Sequence, residues 1–384
     1  MRLMPQSIIR SFQSSKKKHV LITGSRGSGK STLAGRLGKL LAPGEEGLPF
    51  PGITTSAVTG QAVILEENAT GRQAVIGRYV RPADGNDSAG GCMQPIMDGL
   101  EGLGRQALMR CAAGEAYAGA GLGEWVMLDE LGYLESGCEG FLSAVRLLFE
   151  KKRVLAVLRK QHTPFLDELR VREDVFVYDL DEPVLPVGCI LMASGLGRRF
   201  GGNKLLAWLG ERTLLEHALE QTEGVFARRV VVTRYPEIGA ICQAQGIACV
   251  IHDRPNRNDT VRIGMEYLQR WPEEGREAEE ALAGYLFCPA DQPLLRRESV
   301  ETLVLDFSRA GRAEGIFRLA SQGKAGAPVL FGSAYREALK SLPQGKGGSW
   351  LVQKYPQNVY FVEAGREELW DVDTPEELEA CEKQ

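Results

Sequence analysis

The 384-residue chain has no apolar run of eighteen or more residues, so no membrane helix is expected. It also lacks a basic excess. The net charge is −4, and a large nucleic-acid interface normally carries a positive signature. The one basic run, Lys16–Lys18, follows a start without the apolar core of a secretion signal. Residues 1–17 are therefore expected to be a basic, flexible leader. The eight cysteines are scattered with no C-x-x-C pair, which argues against zinc clusters and for free thiols in a reducing cytoplasm. The four histidines, His19, His162, His217 and His252, show no metal-ligand spacing. What remains is ordinary for a globular protein: 43% hydrophobic and 25% charged residues. Glycine is abundant, at 45 residues without a G-X-Y period, which points to turns and phosphate loops rather than collagen.

Twice a short apolar run feeds a glycine loop and then a helical pattern. The first run is His19–Thr23 and the second Val187–Met192. Strand, glycine loop, helix is how an α/β nucleotide-binding domain opens, so two such domains in tandem are expected. The acid- and proline-rich stretch Asp179–Pro186 marks the boundary. This divides the chain into 18–182, a linker at 183–186, and 187–384. Further buried strands are expected at Trp125–Leu128, Arg153–Leu158 and Val175–Tyr178, then at Arg229–Thr233, Ala248–Ile251 and Gly284–Cys288. Such unbroken β-rich runs suit sheets covered on both faces. Glu273–Glu280 reads as a charged, solvated insertion.

Gly24-Ser25-Arg26-Gly27-Ser28-Gly29-Lys30-Ser31, followed by Thr32, matches G-x-x-x-x-G-K-[ST] between strand and helix. Its backbone amides would converge on phosphates at a helix N-terminus. Lys30 would reach the β- and γ-phosphates, and the Ser31 hydroxyl would bind Mg²⁺. Asp129, at the end of the apolar run from Trp125, is the second expected Mg²⁺ ligand. Glu130 is placed to orient or deprotonate an attacking water.

With Gly52-Ile-Thr-Thr55 and Asp129-Glu-Leu-Gly-Tyr-Leu-Glu135, this first region resembles the thermophile-type P-loop nucleoside-triphosphatases. The resemblance implies an αβα P-loop sheet that binds ATP or GTP. In its G-F-x-T-x-E-x-R pattern, Ala57 and Thr59 replace the usual Glu and Arg, which points to nucleotide binding with slow hydrolysis.

The second loop runs Ala193-Ser194-Gly195-Leu-Gly197-Arg198-Arg199-Phe-Gly201-Gly-Asn-Lys204, a G-x-G-x-R-x-G-x-x-K spacing. Nucleotidyl transfer proceeds by attack at the α-phosphorus with loss of pyrophosphate. Cations and amides must neutralise the phosphoryl oxygens, and Arg199 and Lys204 are placed to do so. Asp291, just past an apolar strand, is the leading Mg²⁺ ligand. Asp371 and Asp373 add two acids. Thr374-Pro375-Glu-Glu377 also reads as a capping box, so one of that pair is open to a structural role, with Asp373 the preferred ligand.

These residues resemble the MobA-like nucleotidyltransferases, which include the molybdenum cofactor cytidylyl- and guanylyltransferases. The similarity extends to Gly326-Ala-Pro328-Val-Leu-Phe331 and Gly345-Lys-Gly347-Gly348. It implies a second three-layer αβα domain, Rossmann-like and of glycosyltransferase-A type. It also implies transfer of CMP or GMP from CTP or GTP to molybdopterin, with Gly326, Pro328 and Gly347 near the acceptor. The side chain of Ser194 leaves less room than glycine, which favours CTP. The segment Asn256–Arg262 is more polar than its counterpart in that family. The expected product is a matured cofactor for a molybdenum hydroxylase, delivered directly or through a maturation factor. Two other readings stand beside it: a sugar- or polyol-phosphate nucleotidyltransferase, and a nucleotide-switched cofactor carrier with little turnover.

Overall fold

The computed structural model describes residues 3–42, 50–80, 92–115, 124–270 and 281–383. The charged insertion expected at Glu273–Glu280 lies outside them. The chain forms two compact units, Ser15–Pro183 and Val184–Gln384, the second of which also takes in Met1–Ser14.

In the Ser15–Pro183 unit the strands are β1 (His19–Thr23), β2 (Gly52–Val58), β3 (Ala62–Glu67), β4 (Gln73–Val80), β5 (Cys92–Pro95), β6 (Trp125–Leu131), β7 (Arg153–Leu158) and β8 (Val175–Asp179). They form one eight-stranded sheet in the order β5-β4-β3-β2-β6-β7-β1-β8. From β2 to β8 the neighbours run parallel, and β1, β6 and β7 are buried almost throughout. β3, β4 and β5 are antiparallel additions on the far edge. Within it β3 alternates buried and half-buried residues, the pattern of a sheet with one covered face. Gly52 opens β2 with φ +130°, and a Cβ there would lie 1.9 Å from the Met127 carbonyl oxygen. Only glycine lets β2 approach β6 so closely.

The Val184–Gln384 unit contains β9 (Val187–Ala193), a small hairpin of β10 (Trp208–Leu209) and β11 (Arg212–Thr213), β12 (Arg228–Thr233), β13 (Cys249–Ile251), β14 (Gly284–Pro289), β15 (Ile316–Ser321), β16 (Lys324–Gly332) and β17 (Val359–Glu363). Its main sheet runs β13-β12-β9-β14-β16-β15-β17. β13, β12, β9 and β14 are parallel, while β16 is antiparallel to both β14 and β15. Alternate residues of β9 enter different cores: Val187, Cys189 and Leu191 join one, and Ile190 the other. Both faces are thus covered, giving three layers.

The start of the chain departs from expectation. Pro5–Ser14 is a helix rather than part of a flexible leader, and it packs on the helix Arg297–Ala310. Ile8 and Phe12, one turn apart, are each 1% exposed, and Ile9 lies beside them. The Met4 amide and the Ser7 hydroxyl both donate to the buried carboxylate of Glu301, at 2.8 and 2.7 Å. Ile8, Ile9 and Phe12 recur at helical spacing and form the buried face of this helix.

Candidate active sites

The end of β1 turns into the first glycine loop, and Lys30 opens the helix Lys30–Leu41. The Lys30 ammonium is buried. It donates to the carbonyls of Gly24 and Ser25, at 3.2 and 2.9 Å, and lies 3.3 Å from a Glu130 oxygen. The Ser31 hydroxyl donates to Asp129 at 2.9 Å. The two expected Mg²⁺ ligands therefore meet, although they come from β6 and from the helix after β1. Burial raises the Asp129 carboxyl above its ordinary range, and the Ser31 hydrogen bond opposes this. Bound Mg²⁺ would favour the charged carboxylate, and an all-oxygen donor pair is the kind that ion prefers.

Glu130 is held on three sides. Its amide donates to the Thr55 hydroxyl at 3.0 Å, and its carboxylate takes the Lys30 contact and a 2.7 Å bond from Arg159 Nε. Glu135 is buried and accepts from the Gly132 amide at 2.8 Å, so it shapes the turn after β6. A cavity of about 730 Å³ is lined by most of the loop, including Gly24, Ser25, Gly27, Gly29, Ser31 and Thr32. Ser28 does not line it; its hydroxyl is buried and has no hydrogen-bond partner among the described residues. Arg159 and Lys160, which no sequence motif singled out, also line this cavity.

In the other unit the second glycine loop leaves β9 at Ala193, which is buried and lies outside the cavity lining. Gly197 has φ +55°, and a Cβ there would sit 2.1 Å from the Gly202 carbonyl oxygen, so the loop folds tightly on itself. Asn203 caps the short turn that begins at Lys204. Lys204 is buried and reaches Asp291 and Asp373, each at 2.7 Å. Arg199 reaches the other oxygen of Asp373 at 3.0 Å. Burial alone would discharge Lys204, but the two carboxylates outweigh it and hold its pKa above the usual lysine value. The Lys204 hydrogen bond holds Asp373 below the usual carboxylate range.

The Asp371–Asp373 segment is tied to Asp291 by the Val372 amide, which donates to the Asp291 carbonyl at 2.9 Å. Asp371 accepts from Gln292 at 2.8 Å. Burial and the neighbouring charge of Asp291 raise its pKa. Thr374 and Glu377 form the full capping box. Among the described residues no three His, Cys, Asp or Glu side chains form a ready metal cluster. The expected ligands Asp291 and Asp373 share the Lys204 ammonium instead. Their carboxylate oxygens still suit Mg²⁺ chemically.

A cavity of about 750 Å³ gathers Ser194, Gly195, Gly197, Arg199, Lys204, Asp291, Asp373 and Gly347. Gly326 and Pro328 do not line it, whereas Ala327 between them does. Sequence reasoning missed three side chains here. Arg234 donates to the carbonyls of Ser194 and Arg254, at 2.8 and 3.0 Å. His252, to which no role was assigned, places Nε2 3.0 Å from the Ser194 hydroxyl while its Nδ1 accepts from the Arg254 amide. Arg318 is the third. It was visible as a lone cation in the apolar strand Ile316–Ser321.

Residues 19–183 match the family model described as NTPase, and residues 189–359 match the model described as MobA-like NTP transferase domain. The chain joins a nucleoside-triphosphatase domain to a MobA-like nucleotidyltransferase domain. The nucleoside-triphosphatase THEP1 of Thermotoga maritima is 26% identical over 175 residues, covering 42% of this chain and 86% of that protein. THEP1 of Thermotoga sp. strain RQ2 is likewise 26% identical over 173 residues, with the same coverage. Among solved structures, Rv0371c of Mycobacterium tuberculosis H37Rv is 19% identical with a TM-score of 0.44, covering 52% of this chain and 99% of its own. A nucleotidyl transferase from Methanothermobacter is 17% identical with a TM-score of 0.43, covering 52% and 96%. Among the described residues no helix is long and apolar enough to cross a membrane.

Proposed function

We propose that the Val184–Gln384 unit transfers CMP from CTP to the terminal phosphate of molybdopterin, and that the Ser15–Pro183 unit binds ATP or GTP and hydrolyses it slowly. The observation that carries the first half is Lys204, buried between Asp291 and Asp373 in the cavity that also holds the glycine loop. A fixed cation there meets charge as it develops on the phosphoryl oxygens, and the site is already organised for it. An oxygen of the acceptor phosphate bonds to the α-phosphorus as the bond to the bridging oxygen breaks, and pyrophosphate leaves. The Ser194 hydroxyl is engaged by the Val232 carbonyl and His252, so the attack is written as direct, without a covalent enzyme intermediate.

Asp291 and Asp373 would hold Mg²⁺ in this unit, and Ser31 and Asp129 in the other. When bound, the ion supplies charge neutralisation at phosphate oxygens. Ser194 lines the cavity, and its side chain leaves less room than glycine, which supports CTP over GTP. Slow hydrolysis is supported by Ala57, which presents a methyl group to the P-loop cavity where the resemblance expects a carboxylate. The eight cysteines are all free, which agrees with a reducing cytoplasm, where a molybdenum hydroxylase or its maturation factor would receive the product.

The test is to incubate the protein with molybdopterin, Mg²⁺ and either CTP or GTP, and to identify the product by mass. A cytosine dinucleotide is expected. Product only with sugar or polyol phosphates, or none with any acceptor, would sink the molybdopterin assignment. For the other unit, Lys30→Ala should abolish ATP and GTP hydrolysis, and undiminished turnover would refute it.

A further inference from the structure

Six cations line the nucleotidyltransferase cavity: Arg198, Arg199, Lys204, Arg234, Arg257 and Arg318. Among the described residues three acids, Asp291, Asp371 and Asp373, line it with them. Most of these cations belong to the nucleotide end. Arg199 and Lys204 hold the aspartates, Arg234 holds the glycine-loop carbonyl of Ser194, and Arg257 acts on Asp373. Arg318 stands apart on β15.

Sheet register places it. Phe287 of β14 pairs with Val329 of β16, and Val329 pairs with Arg318 of β15. Directly paired residues share a face, so these three side chains form one row across three strands. All three line the cavity, with Phe331 beside them. Phe287 and Phe331 meet edge to face at 5.8 Å between ring centres. The row continues to Phe361 at the sheet edge, where β17 pairs with β15; that ring is 62% exposed. The far half of the cavity is thus an apolar floor interrupted by one guanidinium.

That guanidinium is half-buried, and burial alone depresses its pKa. Its Nε and Nη2 both donate to the Gly326 carbonyl, at 3.1 and 2.9 Å. Among the described residues no carboxylate pairs with it, and its Nη1 has no partner. A desolvated charge held by one neutral carbonyl is costly unless an anion completes it. The Gly326 bond fixes the plane of the fork and leaves its other edge free, the arrangement that grips phosphate oxygens in pairs. Gly326 therefore bears on the cavity through its carbonyl.

We infer that Arg318 is the anion-binding residue of the acceptor subsite, taking a phosphomonoester carried on an apolar ring that lies along Phe287, Val329 and Phe331. This rests on the nucleotidyltransferase reading of the same cavity and adds the residue that selects the acceptor. Arg318 positions the acceptor phosphate, while Arg199 and Lys204 act on the nucleotide.

The test uses the full chain saturated with Mg²⁺, α,β-methylene CTP for the nucleotidyltransferase cavity and β,γ-methylene ATP for the P-loop cavity, so that both nucleotide sites are occupied. Phenyl phosphate is the probe, with benzyl alcohol as the neutral ring. The parent protein should bind phenyl phosphate and ignore benzyl alcohol. Arg318→Gln should weaken phenyl phosphate by about tenfold or more, the loss expected for a charge-assisted hydrogen bond. Arg318→Lys should recover part of it, and the affinity for the CTP analogue should not change. On the unmodified protein, phenyl phosphate should protect Arg318 from phenylglyoxal, read by mass spectrometry, so the inference does not depend on a variant folding. No phenyl phosphate binding, equal binding by Arg318→Gln, or no protection would overturn it. Loss of CTP-analogue binding in the parent protein would instead count against the donor site, leaving the phenyl phosphate result to judge Arg318.

Discussion

Lys204→Met removes the charge at the centre of the nucleotidyltransferase site and keeps the length of the side chain. The structure sets the size of the effect. Each Lys204 contact is 2.7 Å long, and at an effective dielectric of about 20 the gross attraction is roughly 6 kcal/mol per pair before desolvation. Removing one partner of a fully buried pair costs about 3–5 kcal/mol. Asp291 and Asp373 keep side-chain exposures of 23% and 38%, so water relieves part of their repulsion, and about 2 kcal/mol of stability is a better expectation. Catalysis should suffer more than stability. The ammonium meets charge that develops during transfer, and loss of one such donor lowers kcat by about 10²–10³. The assay is pyrophosphate release at saturating CTP and acceptor, with the CTP dissociation constant measured separately by equilibrium binding. The expected pattern is a large fall in kcat with a smaller change in CTP affinity. A kcat within a few-fold of the parent, in protein that still binds CTP, would refute the placement of Lys204 at the reacting phosphate.

Two further perturbations test the structural account. Phe12→Ala empties a fully buried site between the first helix and Arg297–Ala310, at a cost of about 3–5 kcal/mol. On heating, nucleotidyl transfer should be lost at a lower temperature than in the parent while P-loop hydrolysis persists; simultaneous loss of both activities would contradict the unit boundaries described. The second concerns pH. Burial and the nearby Arg234 lower the His252 pKa below its ordinary value of 6.5, so the folded chain favours the neutral ring. Its stabilising contribution is complete above 6.5 and lost as pH falls through the lowered value. Protonation would also cost the Arg254 amide its acceptor at Nδ1. CTP affinity should weaken on acidification from pH 7 to 5, and His252→Gln should flatten that profile; an unchanged slope in the variant would show that another group controls it.

Much of this was legible in the sequence because phosphate chemistry is local. A strand, a glycine loop and a following lysine occupy a dozen residues, and the loop itself positions their amides and charges. Hence Gly24–Ser31 and Ser194–Lys204 could be read without coordinates, as could the capping box at Thr374. The unbroken apolar runs of β1, β7 and β9 announced buried parallel strands in the same way. The antiparallel partners β3, β4, β5 and β16 were less visible, since exposed or half-buried residues interrupt their apolar runs.

What the tertiary structure alone decided depends on register and closure. Asp129 meets Ser31 because β6 and β1 both end beside the loop, although 98 residues separate the two side chains. Lys204 finds Asp373 at a separation of 169 residues. Arg318 faces the cavity only because β15 pairs with β16 in a register that sets it opposite Val329; a one-residue slip would turn it to the other face. Composition and spacing determined which residues can handle phosphate. Strand order and register decided which of them act on the same one, because side-chain direction in a sheet is a property of the pairing and not of the strand alone.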